Sequence, residues 1–156
     1  MSANIKDRIT PEGRRLEQLL RTLDKKLVRI GFQRGDTTDE NGADMCDIAA
    51  WNELGTSRSP ARPFIRQTVD NHEGEINAML DGVRKSLLAG ASGEQVLKEI
   101  GLKVKDLMQA EIIEGNFAPN APSTIRLKGS SKPLIGTGRM RQSANYVIKS
   151  KGENDE

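Results

Sequence analysis

The chain is poor in the residues from which most enzymes build a reaction centre. Its 156 residues include one cysteine, one histidine, one tryptophan, one tyrosine and three phenylalanines. One cysteine cannot close an intrachain disulfide, and one histidine cannot build a histidine-rich metal site. No run of 18 apolar residues occurs, so no membrane-spanning helix is expected. The opening MSANIKDRITPEGRR has no apolar region of the kind a secretory signal needs. These shortages describe a soluble protein made in a reducing cytosol. Charge of one sign is scarce in bulk too. Against 24 Lys+Arg stand 22 Asp+Glu, and a formal net charge of +2 does not by itself imply nucleic acid. What remains is a hydrophobic share of 35%, enough for one domain of ordinary size with a thin, mostly aliphatic core.

The few chemically capable residues stand in unpromising places. His72 lies three residues after Val69 and four before Ile76, which puts it on the apolar stripe of a helix rather than in a catalytic pair. Cys46 has Asp44 and Asp47 beside it, and local negative charge disfavours a thiolate. The acidic stretch GDTTDENGAD (35–44) fails as a calcium loop. With Gly42 at loop position six, Thr37 falls at one and Ile48 at twelve, where a bidentate Glu is required. Gly136-Thr137-Gly138 begins like a dinucleotide fingerprint, but Arg141 takes the third glycine's place. No catalytic, cofactor or metal residue is assigned, and the expectation is a protein that is not an enzyme.

Periodicity outlines an α+β chain. Thr10-Pro11 starts a helix over 11–24, with Leu16, Leu19, Leu20 and Leu23 at helical spacing. Val28, Ile30 and Phe32 then alternate with Arg29 and Gly31, as in a strand buried on one face. Residues 34–45 read as a flexible acidic loop. Residues 46–54 read as a short second strand passing into one helical turn, with Gly55 as its C-cap. Pro60 and Pro63 make 56–63 an extended, arginine-bearing loop. Stripes from Ile65 to Leu87 and from Leu97 to Ile112 predict two long antiparallel helices, a hairpin over 64–114 with Ser92 capping the second. Three prolines in 116–135 predict an extended loop of the kind that waits for a partner. Thr137 is placed to cap a helix over 138–144. Tyr146–Ile148 read as a closing strand pairing with 26–33, and 150–156 as a disordered tail.

From Gly115 to Gly152 there is no acidic residue, but Arg126, Lys128, Lys132, Arg139, Arg141, Lys149 and Lys151 are present. Two readings fit. The strip faces phosphate, or it complements a neighbouring subunit, for which the acidic 36–47 region is the natural counterpart. Stacking aromatics are few here, only Phe117 and Tyr146, so subunit complementarity is preferred.

Three stretches, KLVRIGF, AAWNELGTSRSPARPFIRQTV and APNAPSTIRLKGSSKPLIGTGRMRQSANYVI, together resemble the virion-morphogenesis proteins of long-tailed bacteriophages and prophages. That group includes tail-completion, tail-terminator and head–tail joining (neck) proteins. The most diagnostic segments are Asn52-Glu53-Leu54-Gly55-Thr56, Pro60-Ala61-Arg62-Pro63-Phe64 and Pro133-Leu134-Ile135-Gly136-Thr137-Gly138. The family usually carries an acidic residue or Asn where Gly136 stands. The ordered set covers about 26–149, and none of it is a catalytic motif.

The resemblance implies a non-enzymatic ring component with a small α+β fold. It would reside in the virion tail or neck after synthesis in the bacterial host cytoplasm. Its partners would be further copies in a six-fold ring, the tail tube protein and the head–tail connector or stopper protein. DNA would pass through the lumen without sequence-specific binding, and no membrane is involved. The expected architecture is one domain over 1–156, with a mostly antiparallel sheet of three to four strands on the two long helices. Candidate subunit or partner contacts are Trp51, Arg58, Arg62, Phe64, Arg126, Lys128, Lys132, Arg139 and Arg141. For Trp51, Phe64 and Pro133, intrachain packing is an equal reading, and Arg58, Arg62 and Arg66 also read as solvated charges. The competing class is a DNA-binding accessory protein using the 115–152 strip.

Overall fold

Helix α1 (Pro11–Asp24) starts where a proline and a cap coincide. Thr10 is extended, its Oγ1 accepts the Gly13 N–H at 3.1 Å, and Pro11 follows where no N–H is needed. The computed structural model describes residues 9–153. Strand β1 (Lys26–Gly31) comes next and pairs antiparallel with the last element of the chain, β2 (Asn145–Ser150). Val28 faces Ile148 and Ile30 faces Tyr146, and alternation places these four on one side of the ribbon. That side packs on α5 (Gly93–Glu114), whose Ser92 cap accepts the Gln95 N–H at 3.1 Å. Gly101 of α5 makes the approach possible. A Cβ there would stand 2.5 Å from the Tyr146 ring and 3.0 Å from Val28.

The fold is therefore α+β with an antiparallel sheet, but among the described residues that sheet has two strands and not three or four. The missing strand is the one expected at 46–50. Asp44 caps a helix there, accepting the Cys46 N–H at 2.8 Å, and α2 runs Met45–Leu54 with Met45 and Ala49 buried four residues apart. Gly55 ends it at φ 76°.

The first half of the hairpin is also two elements instead of one. α3 (Phe64–Asn71) stops at His72, whose φ of −117° lies outside helical values, and α4 (Glu73–Leu88) restarts beyond it. Both pack along α5. Asn71 donates to Glu111 at 3.2 Å and Lys103 pairs with Glu75 at 2.8 Å, so the lower helix number meets the higher, as in an antiparallel arrangement. His72 itself sits between Glu75 and Glu111, with nitrogen–oxygen distances of 3.5 and 4.0 Å.

Two loops carry more structure than expected. Within 116–135 lies α6 (Pro122–Lys128), opened by a proline at its first turn and closed by Gly129 in the left-handed region at φ 66°. The 34–45 segment is a hydrogen-bonded turn, not an open loop. Asp39 Oδ1 accepts the Asn41 and Ala43 N–H groups, and Asp44 Oδ2 accepts that of Gly35. Arg34 clamps Asp47 through two bonds of 3.1 and 2.6 Å. α7 (Arg139–Ser143) takes Gly138 as its N-cap with no side-chain bond, so Thr137 does not cap it. Of the expected tail, Lys151 folds back to donate to Asp24 at 2.8 Å and to the Lys25 carbonyl, and residues 154–156 lie outside the described span. Among the described residues no helix is long and apolar enough to cross a membrane.

The main core gathers Met45, Ala49, Phe64, Met108, Ile112, Leu134, Met140 and Ala144. Phe64 is fully buried and meets Phe32 edge to face, ring centres 5.8 Å apart.

Candidate functional site

The segments that carry the family resemblance turn out to fasten one another. Gly55 bends the chain out of α2 at a place where a Cβ would lie 2.7 Å from the Ala61 nitrogen, so the backbones of 55 and 61 touch. Thr56 and Ser59 close a tight turn between them. The Arg62 N–H donates to the Asn52 carbonyl at 2.6 Å. Glu53 then supplies the cap that Pro63 cannot give α3, accepting the Ile65 and Arg66 N–H groups at 2.8 and 3.1 Å. The Arg62 side chain crosses to the other half of the chain. Nε donates to the Ala118 carbonyl at 2.9 Å, and Nη2 donates to the Pro119 carbonyl and to Asn120 Oδ1. Asn120 in turn donates to the Lys132 carbonyl at 3.2 Å.

Two of the candidate contact residues lie within the fold. Phe64 is 0% exposed, and Arg62 is 7% exposed with Nε and Nη2 bonded inside its own chain. Arg62 lies beside backbone carbonyls far away in sequence, a pairing no local pattern encodes. Burial holds its guanidinium below the ordinary arginine pKa.

The other candidates remain at the surface but do not form one patch. Trp51 is 53% exposed on the outer face of α2, next to Leu54 at 73%. Arg58 is exposed on the 56–59 turn. Arg126 and Lys128 are exposed on α6, flanking Leu127, which is 90% exposed. Lys132 reaches the Ile113 carbonyl at 3.4 Å. Arg139 donates to the Thr38 carbonyl at 3.3 Å and helps lower the Asp39 pKa, after the Asn41 and Ala43 N–H groups that bond its carboxylate. Arg141 stays exposed while its carbonyl accepts from Gln109 at 3.0 Å. Within the chain, Arg139 thus lies against the acidic turn, and Lys151 pairs with Asp24, which lies outside the 36–47 region.

Two cavities border this region, and Lys128 lines both. One, of about 470 Å³, lies between the acidic turn, α2, α6 and α7, with Asp39, Met45, Ile48, Leu134 and Arg139 on its walls. The other, also about 470 Å³, lies between the 58–62 segment and α6. Leu127 and Asn120 are given no role by the sequence, and Glu53 and Leu54 enter there only as members of a diagnostic segment. For Leu127 a signal was present, since Pro122 and Gly129 bracket a seven-residue helix that exposes it.

Among the described residues, the large apolar side chains left exposed include Trp51, Leu54, Leu80, Leu88 and Leu127. No protein-family profile matches the chain, and neither a curated protein nor a solved structure shows significant similarity to it.

Proposed function

We propose that the protein is a structural assembly subunit of a tailed bacteriophage virion, forming a ring at the head-proximal end of the tail as a tail-completion, terminator or head–tail joining component. The observation that carries this reading is the set of large apolar side chains left at the surface. Trp51 and Leu54, on an α2 tied to the 62–66 segment through Asn52 and Glu53, and Leu127 on α6 present large apolar side chains to solvent. Exposed apolar groups on fixed supports are what a subunit interface needs. The ring is closed and heterologous, one surface of each copy meeting a different surface of the next, with six copies as the family resemblance implies. The tail tube protein and the connector or stopper protein bind the two ring faces, and DNA passes through the lumen. No bond-making chemistry is assigned to the chain.

The test is negative-stain imaging of virions carrying a label on this chain. Label at the neck supports the reading, and label elsewhere, or normal virions in its absence, overturns it. The alternative is a DNA-binding accessory protein acting through 115–152. Salt-dependent retardation of duplex DNA by the isolated protein favours it, and no binding at low salt removes it.

A further inference from the structure

The second cavity holds an electrostatic imbalance. Arg62 has only neutral partners there: two backbone carbonyls and the Asn120 side-chain oxygen. Its Nη1 has no acceptor among the described residues, while every fully buried side-chain nitrogen or oxygen among them has one. Nη1 is therefore not fully enclosed, and Arg62 lines this cavity. Lys128 enters from α6. Although the residue as a whole is exposed, its ammonium is desolvated enough to lower its pKa, and the Arg62 charge lowers it further. Arg58, Ser59 and Thr124 line it too, beside Asn120, whose amide already bonds Arg62 and the Lys132 carbonyl. No carboxylate lines the cavity. The nearest by sequence, Glu53, is engaged by the first turn of α3.

Three cationic residues and two hydroxyl-bearing ones lining one concave surface, with no anion to offset them, form a receptor for negative charge. Several donors spread over three cations suit the three oxygens of a phosphate better than the two of a carboxylate. The volume of about 470 Å³ exceeds what a bare ion fills, so the phosphate can carry an ester. We propose that the cavity between the 58–62 segment and α6 is an oxyanion site that takes a phosphate group, free or esterified. Its occupant staples the Arg62 fastening to α6, whether or not the chain assembles into a ring.

The experiment is thermal unfolding of the full chain against inorganic phosphate at constant ionic strength, balanced with potassium chloride. Phosphate raises the midpoint by about 4 °C at roughly ten times its dissociation constant, and the rise continues logarithmically above that. Lys128→Gln and Arg58→Gln, both at exposed positions that leave Arg62 in place, each raise the phosphate concentration needed for a given shift by about tenfold. Arg126→Gln, on the same helix but not lining the cavity, leaves it unchanged. The proposal fails if phosphate does no more than chloride, if Lys128→Gln and Arg58→Gln respond like the parent, or if polyglutamate stabilises the protein where phosphate does not. Short duplex DNA distinguishes the source. Competition with phosphate for the site identifies the ligand as a nucleic-acid phosphodiester, and phosphate binding without that competition identifies a small phosphate compound.

Discussion

The two ends of the molecule are held by different means. Around Arg62 and Phe64, side chains from 53 to 64 bind the backbone of α3 and of 118–120, and the core beneath is closed. At the other end α1 has no buried residue, its Leu16, Leu19 and Leu23 are half covered, and α4 buries only Leu87. The first end is rigid through hydrogen bonds that no water can replace cheaply. The second is held by partial apolar contact and by surface ion pairs such as Lys103–Glu75, which contribute little each. A chain that fastens one end so thoroughly and leaves the other lightly packed is suited to present a fixed surface to a partner from the first.

That contrast can be broken most directly with paired truncations. Phe64→Ala is expected to cost about 3–5 kcal/mol, because a fully buried ring leaves a cavity between Met108, Ile112 and Leu134. Leu19→Ala in α1 is expected to cost only about 1 kcal/mol, since half of that side chain is already in water. Urea unfolding midpoints of the two variants measure the difference, and equal losses would erase the distinction between the ends.

Next in size is Gly55→Ala. It combines a φ of 76° with a Cβ 2.7 Å from the Ala61 nitrogen, so about 2 kcal/mol or more of stability should be lost. Chemical unfolding of this variant beside Gly82→Ala, whose Cβ meets nothing within 4 Å inside α4, sharpens the point, because the second should be neutral or stabilising.

The smallest effect concerns acid. The Gly35 and Cys46 N–H groups hold the Asp44 carboxyl below its ordinary pKa, and the Ala43 N–H does the same for Asp39. A carboxylate whose folded pKa is depressed contributes stability that is present above its unfolded value and lost as pH falls through the folded one. Stability should therefore decline below about pH 4, and Asp44→Asn should make that decline shallower in midpoints measured from pH 6 to pH 3. An unchanged acid limb would mean that the turn contributes nothing at that end.

Legibility followed the range of the forces involved. Helix starts at Thr10-Pro11 and Ser92, the Gly55 stop and the β1–β2 pairing were readable because cap chemistry and alternation act within a few residues. The helix at 45–54 was misread as beginning in a strand, although Asp44 ahead of it is a capping residue, because Ile48, Ala49 and Ala50 satisfy either period. The break at His72 was invisible, since the apolar stripe runs straight through it. For the site, exposure of Trp51 and of the α6 cations was within reach of pattern. The burial of Arg62 was not, because it depends on carbonyls 56 and 57 residues further along the chain. An arginine between two prolines looks solvated until the segment that accepts its hydrogen bonds is folded beside it.

The central claim is that the apolar groups left outside by this fastening are covered by other copies. Mass photometry of the full chain across a dilution series, beside Leu54→Glu, tests it most directly. Leu54 is 73% exposed, so a charge there should leave the fold intact while opposing any contact made through α2. The account predicts a closed oligomer, six copies by the family resemblance, that persists on dilution for the parent and collapses to monomer for Leu54→Glu. A parent that stays monomeric at every concentration, or a variant that assembles just as well, would contradict it.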